Sequence, residues 1–305
     1  MKKRVLITGG TVFVSRFVAD WCVKQGWQVC VLNRGSRAQV EGVTHICAHR
    51  HALRDELKGL ELDAVLDMTA YTADDVRDLC EALPLVHDYI FLSSSAVYPE
   101  YGVQPFTEDA VCARNSFWGD YGTNKIAAEK EVQKYFPHAF IVRPPYLYGP
   151  MENLYREPFV FDCAQQEKDF FLPGDGSLPL QFFHVEDLCR LMAMLLEQQP
   201  MQRIYNVGNT ETVTAKEWVT LCYEVLGKIP HFVSVDENAH DSRCYFPFRP
   251  YAYRLDVAHQ MALLPDTKPL KEGLREAWLW YAAHTDEVNR KPYFAYIDEN
   301  LNTST

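Results

Sequence analysis

The stretch Arg4-Val5-Leu6-Ile7-Thr8-Gly9-Gly10-Thr11-Val12-Phe13-Val14-Ser15-Arg16 decides how the chain is read. Val5 to Ile7 form a short apolar run, the pattern of a strand buried on both faces. A Thr-Gly-Gly turn follows, and a helix-compatible segment carries on to Gly26. A strand, a glycine turn and a helix in that order can lay a dinucleotide pyrophosphate against free backbone N–H groups and the positive end of a helix dipole.

Working outward, strand-like and helix-like segments alternate. Strands are predicted at 28–32, 44–48, 63–67, 89–93 and 139–143, with amphipathic helices at 72–83 and 117–136 among the segments between them. Such alternation implies right-handed crossovers and a parallel sheet covered on both faces. The expected class is α/β, a Rossmann-type doubly wound parallel sheet. Residues 1–150 are expected to form the dinucleotide-binding domain. Beyond Pro150 the pattern turns irregular and richer in aromatics and prolines, as in a smaller substrate lobe at 151–177 and 209–305. Residues 178–208 are expected to return to the first domain, with a strand at 204–207.

Composition narrows the function classes. A chain of 305 residues with 48% hydrophobic and 23% charged residues can bury the core of a globular enzyme. Its formal net charge of −11 opposes broad binding to nucleic acid or anionic membranes. The nine cysteines include no C-x-x-C pair and read as buried thiols of a reducing compartment. No apolar run reaches the ~18 residues of a membrane span. The basic Lys2-Lys3-Arg4 runs straight into a strand without a signal-peptide pattern, so a cytoplasmic protein is expected.

Two further stretches carry chemistry. Phe91-Leu92-Ser93-Ser94-Ser95-Ala96-Val97-Tyr98 is a strand ending in three hydroxyls, and Tyr121-Gly122-Thr123-Asn124-Lys125 places a phenol and an ammonium one helical turn apart. A nearby ammonium lowers a tyrosine pKa, and the phenol can then serve as general base or acid at a hydroxyl. An exposed Tyr–Lys pair on a helix is the alternative.

Together these stretches resemble the extended short-chain dehydrogenase/reductase family, the sugar-nucleotide epimerases and dehydratases. Residues 8–15 resemble its T-G-x-x-G-x-x-G fingerprint, with Val12 and Ser15 at the second and third glycines. Tyr121 and Lys125 match its Y-x-x-x-K motif. The resemblance implies Tyr121, Lys125 and Ser94 as catalytic residues, with Ser93 and Ser95 as rival hydroxyls. It implies Thr8, Gly9, Gly10, Thr11, Val12, Phe13 and Val14 at the pyrophosphate, and Thr69, Ala70, Tyr71 and Ser93 beside the nicotinamide half. Pro144, Tyr146 and Leu147 border nicotinamide and substrate, and Ser95, Tyr146 and Arg249 contact substrate.

At the end of the second strand an acid would bind the ribose hydroxyls of NAD. This chain has Asn33-Arg34-Gly35-Ser36-Arg37 instead, which leans the cofactor, NAD(P), towards NADP, since arginine pairs well with phosphate. The alternative is that Arg34 and Arg37 are solvated loop charges. His49 and Arg50 stand where the family contacts adenine. Metal is not expected there, because no carboxylate or cysteine completes a set with His49 and His51, and a surface loop is expected instead.

The family's diphosphate-gripping arginine is replaced by Leu180, for which Arg249 or Arg254 is the candidate substitute. These departures and Phe246-Pro247-Phe248-Arg249 resemble an atypical branch, the one containing the chloroplast stem-loop RNA-binding proteins. The leading expectation is an NAD(P)-dependent epimerase or reductase acting on a sugar, with nucleotide linkage. Ser95 after Ser94 leaves no acidic pair of the dehydratase kind. The alternatives are an RNA-binding or cofactor-sensing protein and a structural remnant without cofactor affinity. The family also implies a homodimer through the Tyr–Lys helix, with Phe117 and Trp118 as face or core.

Overall fold

The computed structural model describes residues 2–302. Among the described residues thirteen strands and nine α-helices follow in order. The strands are β1 (Arg4–Thr8), β2 (Gln28–Asn33), β3 (Thr44–Cys47), β4 (Ala64–Asp67), β5 (Asp88–Leu92), β6 (Phe140–Arg143), β7 (Tyr146–Tyr148), β8 (Phe170–Pro173), β9 (Pro179–Leu180), β10 (Phe182–His184), β11 (Ile204–Asn206), β12 (Val213–Thr214) and β13 (Phe232–Val235). The helices are α1 (Phe13–Lys24), α2 (Ala73–Ala82), α3 (Asp120–Tyr135), α4 (Glu157–Gln165), α5 (Val185–Gln198), α6 (Ala215–Val225), α7 (Ala258–Leu263), α8 (Leu270–Ala283) and α9 (Tyr293–Asn300). No helix among the described residues is long and apolar enough to cross a membrane.

Seven strands form one sheet in the order β11-β6-β5-β4-β1-β2-β3, every pairing parallel. The order reverses beside β1, so the crevice at the carboxyl ends of β1 and β4 is the topological switch point, where such sheets bind ligands. β4 is buried along its whole length, and β1 and β5 at all but their first residues. This explains their unbroken apolar runs. Val5, Ile7, Val31 and Leu66 pack on one face with α1 and α5, while Leu6, Val65, Phe91 and Ile141 pack on the other with α2 and α3. β11 lies parallel beside β6, as its position in the sequence reading requires.

The segment before β11 divides its loyalties. β10 pairs with β7 and β9 with β12, whereas α5 packs against α1. A third cluster, rich in aromatic residues, gathers Phe159, Phe170, Phe182, Trp218, Phe248 and Tyr281. Phe117 and Trp118 are occupied inside the chain. Phe117 stacks on Tyr251 with centroids 4.5 Å apart, and the Trp118 indole N–H donates to the Tyr251 hydroxyl at 2.5 Å.

Candidate active site

The glycine turn is tight. Gly9 and Gly10 have φ of +93° and +85°, and a Cβ on either would come within 2.8 Å of Ser15 and Thr69 or of Val31. Val12 is different. Its φ of −138° and ψ of 135° are ordinary extended backbone, so glycine's freedom is not needed at this position. What the valine alters is the surface, because its side chain lines the cleft. Ser15, at the third glycine, is buried and donates to the Val12 carbonyl at 3.0 Å.

The N-terminus of α1 is open to an anion. It has no side-chain cap and no acidic residue in its first turn, and among the described residues the N–H groups of Phe13, Val14 and Ser15 have no protein partner. Phe13 takes a φ of +32°, a conformation rare for a bulky residue and found where surrounding structure enforces it.

From this turn two cavities open, sharing Thr69 and Tyr71. The first, of about 380 Å³, is bounded by residues 12–15, Met68, Leu92, Ser93, Ser94, Tyr121, Lys125, Pro144, Pro145, Leu147, Asn153, Leu154 and Arg156. It therefore brings the hydroxyl-ended strand, the Tyr–Lys helix and the glycine turn to one place. Gly122 makes this approach feasible, since a Cβ there would lie 2.3 Å from the Ala96 carbonyl oxygen.

The three serines have different employments. Ser93 donates to the buried Glu129 carboxylate, which Arg143 clamps at 2.6 and 2.9 Å. Ser95 is buried, and its backbone N–H donates to the Pro144 carbonyl at 2.9 Å. Ser94 accepts from the Ala96 N–H at 3.2 Å and shares the cavity wall with Tyr121. The ammonium of Lys125 donates to the carbonyls of Ala70 and Leu92, both at 2.7 Å, between the rings of Tyr71 and Phe91.

The expected lowering of the Tyr121 pKa is not found. Burial pushes the phenol up, and hydrogen bonding from Ser94 offsets only part of the rise. Lys125 is itself lowered to about 8, chiefly by burial, with Asp67 and Glu129 pulling the other way. The reason is geometric, since the ammonium spends two of its three donors on strand-end carbonyls.

The second cavity, of about 390 Å³, is lined by Thr8, Gly9, Thr11, Leu32, Asn33, Arg34, Ser36, Ala48, His49, Arg50, His51 and Asp75. Much of its polar wall is already paired. Asn33 donates to Gly9 O at 2.6 Å and to Gln39, and its oxygen faces Gly35 N–H and His45. Arg50 turns inward to Asp67 at 2.5 Å, where Thr8 and Tyr89 also donate at 2.7 and 2.6 Å. His51 has the carboxylates that sequence proximity did not reveal, Asp75 at 3.0 Å and Asp78 at 2.6 Å, brought by α2.

Several predicted residues fall outside both walls. Gly10 packs on Val31, Ala70 contributes its carbonyl to Lys125, and Arg37 is exposed away from either cavity. Tyr146 is buried in β7, and Arg249 lies over the Trp118 ring at 4.5 Å. Neither lines either cavity. Leu180 is buried in the aromatic core, so no grip on a diphosphate comes from that position. The sequence reading missed Asp67, at the end of β4, and Asn153 and Arg156, whose places depend on a loop that carries no motif.

Switch-point crevice, glycine cradle and open helix terminus define a dinucleotide-fold protein, and the cradle fits a pyrophosphate-bearing cofactor. Residues 5–208 match the model of the NAD dependent epimerase/dehydratase family, and the chain belongs to that family. It is 27% identical over 303 residues to the chloroplast stem-loop binding protein of 41 kDa b of Arabidopsis thaliana, covering 91% of this chain and 79% of that one. It is 24% identical over 332 residues to a dTDP-4-dehydro-6-deoxy-D-allose reductase of a Streptomyces species, covering 92% and 97%. The fold matches the crystal structure of dTDP-glucose 4,6-dehydratase from Bacillus anthracis in complex with NAD, with a TM-score of 0.75, 18% identity, and 93% and 98% of the two chains covered.

Proposed function

We propose that the chain is an NAD(P)-dependent epimerase or reductase acting on a sugar, with nucleotide linkage, through Tyr121, Ser94 and Lys125. The observation that carries this reading is the meeting of Tyr121, Ser94 and Lys125 with residues 12–15 of the glycine turn around one cavity. When bound, the dinucleotide supplies a hydride acceptor or donor and, when oxidised, a positive charge in the cleft. Tyr121, raised by burial, holds its proton at neutral pH and is set to donate it to a carbonyl oxygen, while Ser94 donates a second hydrogen bond. Lys125 keeps one N–H for a ribose hydroxyl. No aspartate or glutamate lines this cavity among the described residues, which favours epimerase or reductase over dehydratase. At the adenine end, Arg34 and Ser36 line a wall with no carboxylate at the end of β2, which supports NADP.

The test is a titration of the protein with NADH and NADPH, followed by nicotinamide fluorescence. Tyr121→Phe is expected to bind either cofactor as the parent does and to lose about 10²- to 10⁴-fold in turnover on a sugar substrate. A parent protein that binds neither dinucleotide, or a phenylalanine variant that turns over normally, ends this reading. RNA binding remains the second reading because of the Arabidopsis relative. Hairpin-RNA retention that weakens steeply with salt would put it first.

A further inference from the structure

Arg156 stands at the start of α4, in the wall of the cavity that Val12 to Ser15 also bound. Its side chain is only 11% exposed, and it is held from several sides. One terminal nitrogen, Nη2, donates to the Leu147 carbonyl and to Glu152; Nε lies 4.0 Å from the Glu157 carboxyl; and the guanidinium carbon is 5.6 Å from the centre of the Tyr146 ring. The other terminal nitrogen, Nη1, has no hydrogen-bond partner among the described residues and is not among the fully buried unpaired atoms. It is thus the part of the guanidinium left to a ligand. Burial raises the Glu152 carboxyl well above its ordinary range, against the pull of the Arg156 guanidinium beside it.

Two parts of this cavity's lining suit one kind of group. The same cavity is lined by residues 13–15, whose N–H groups are unpartnered among the described residues, and by a guanidinium with a free donor. Both attract an oxyanion, and arginine suits phosphate oxygens. The other cation in the wall, Lys125, is committed to two carbonyls. Val12 adds the need for such a group, since its side chain holds a phosphate farther from the turn than glycine would.

We infer that Arg156 is a binding residue for the dinucleotide, donating to the pyrophosphate in the cavity it shares with the α1 N-terminus and offsetting the contact that Val12 weakens. The inference rests on the dinucleotide reading of the site. A phosphate or carboxylate of the sugar substrate would satisfy the same donor, and the experiment separates these sources.

NADPH, ADP-ribose and 5′-AMP are titrated against the parent protein, Arg156→Lys, Arg156→Gln and Arg156→Gln/Glu152→Gln. The double variant removes the carboxyl that the single variant would leave unpaired, and thermal unfolding checks that each protein is folded. Expected is a loss of about tenfold or more for NADPH and ADP-ribose in both glutamine variants, partial recovery in Arg156→Lys, and a smaller loss for 5′-AMP, which lacks the second phosphate. Parent-like NADPH affinity in a folded Arg156→Gln/Glu152→Gln protein overturns the inference while leaving the dinucleotide reading intact. If that variant instead loses only turnover through a raised KM for the sugar, the anion belongs to the substrate and the inference is likewise overturned. A parent protein that binds no dinucleotide overturns both.

Discussion

The two cavities that share Thr69 and Tyr71 have comparable volumes but use their polar groups in opposite ways. In the one beneath Tyr121, one N–H of Lys125 and Nη1 of Arg156 have no hydrogen-bond partner among the described residues. In the one beneath Arg34, Asn33, Arg50, His51 and Asp75 are tied to one another or to the sheet. Groups left free in a wall can follow a reacting oxygen or an anion, whereas groups already paired hold the shape of a wall. The first cavity is therefore where chemistry is to be sought, and the second is a rigid seat whose selectivity rests on its rim.

The strongest way to break this contrast is to attack the pair that holds the second wall. Asp67 is fully buried, and burial alone would raise its carboxyl. The charge of Arg50 and the hydrogen bonds from Tyr89 and Thr8 outweigh that and keep it below its ordinary value. Asp67→Leu leaves Arg50 facing apolar surroundings without a partner, and a loss of about 3–5 kcal/mol in unfolding free energy is expected. Urea unfolding measures it. Asp67→Leu/Arg50→Leu should recover much of the loss, because removing both charges avoids the unpaired one. If Asp67→Leu is as stable as the parent, the second wall is not the fixed seat described.

How much of this was legible follows the distance over which each feature is encoded. Tyr121 and Lys125 are one helical turn apart, and Ser94 ends a strand, so local spacing sufficed to bring them together on the page. The sheet was legible for a related reason, since strands buried on both faces write themselves as apolar runs. Arg50 and Asp67 are separated by a loop and a strand, and nothing local says that an arginine in a surface-like His-Arg-His segment turns inward. Arg156 follows β7 in a loop without regular structure, so its entry into the cavity wall depends on chain packing rather than motif. The surroundings of Arg249 were hidden for the same reason. A Phe-Pro-Phe-Arg segment looks free in sequence, but Trp118, far off in the chain, supplies the ring its guanidinium covers.

A smaller effect sharpens the account of the first cavity. Burial lowers Lys125 from its ordinary 10.5 to about 8, so between pH 8 and 10.5 the unfolded chain keeps a proton that the folded chain has released. Stability contributed by this group then rises with pH across that window, by up to about 1.4 kcal/mol per pH unit, and is flat at its lowest below pH 8. Lys125→Met removes that rise. Urea unfolding of parent and variant at several pH values between 8 and 10 gives the difference, in which the other titrating groups cancel. A difference that does not change with pH would mean that the ammonium is not desolvated by its neighbours as the geometry implies.

The smallest expected effect lies on the rim of the second cavity. Arg34 is exposed, lines that cavity, and has no hydrogen-bond or ion-pair partner among the described residues, while the neighbouring Asn33 is consumed in holding β2 to the glycine turn. An exposed guanidinium contributes little through long-range charge, since salt screens it, but a direct contact to a phosphate survives better. If a 2′-phosphate is what Arg34 meets, Arg34→Ala should weaken NADPH by about 3- to 10-fold, roughly a surface-to-partly-buried charged contact, and leave NADH unchanged. Equal loss for both cofactors would make Arg34 a general electrostatic attractor of the dinucleotide. No loss for either would return it to the solvated loop charges, and selectivity would then have to come from Ser36 or from the backbone of the 34–36 turn.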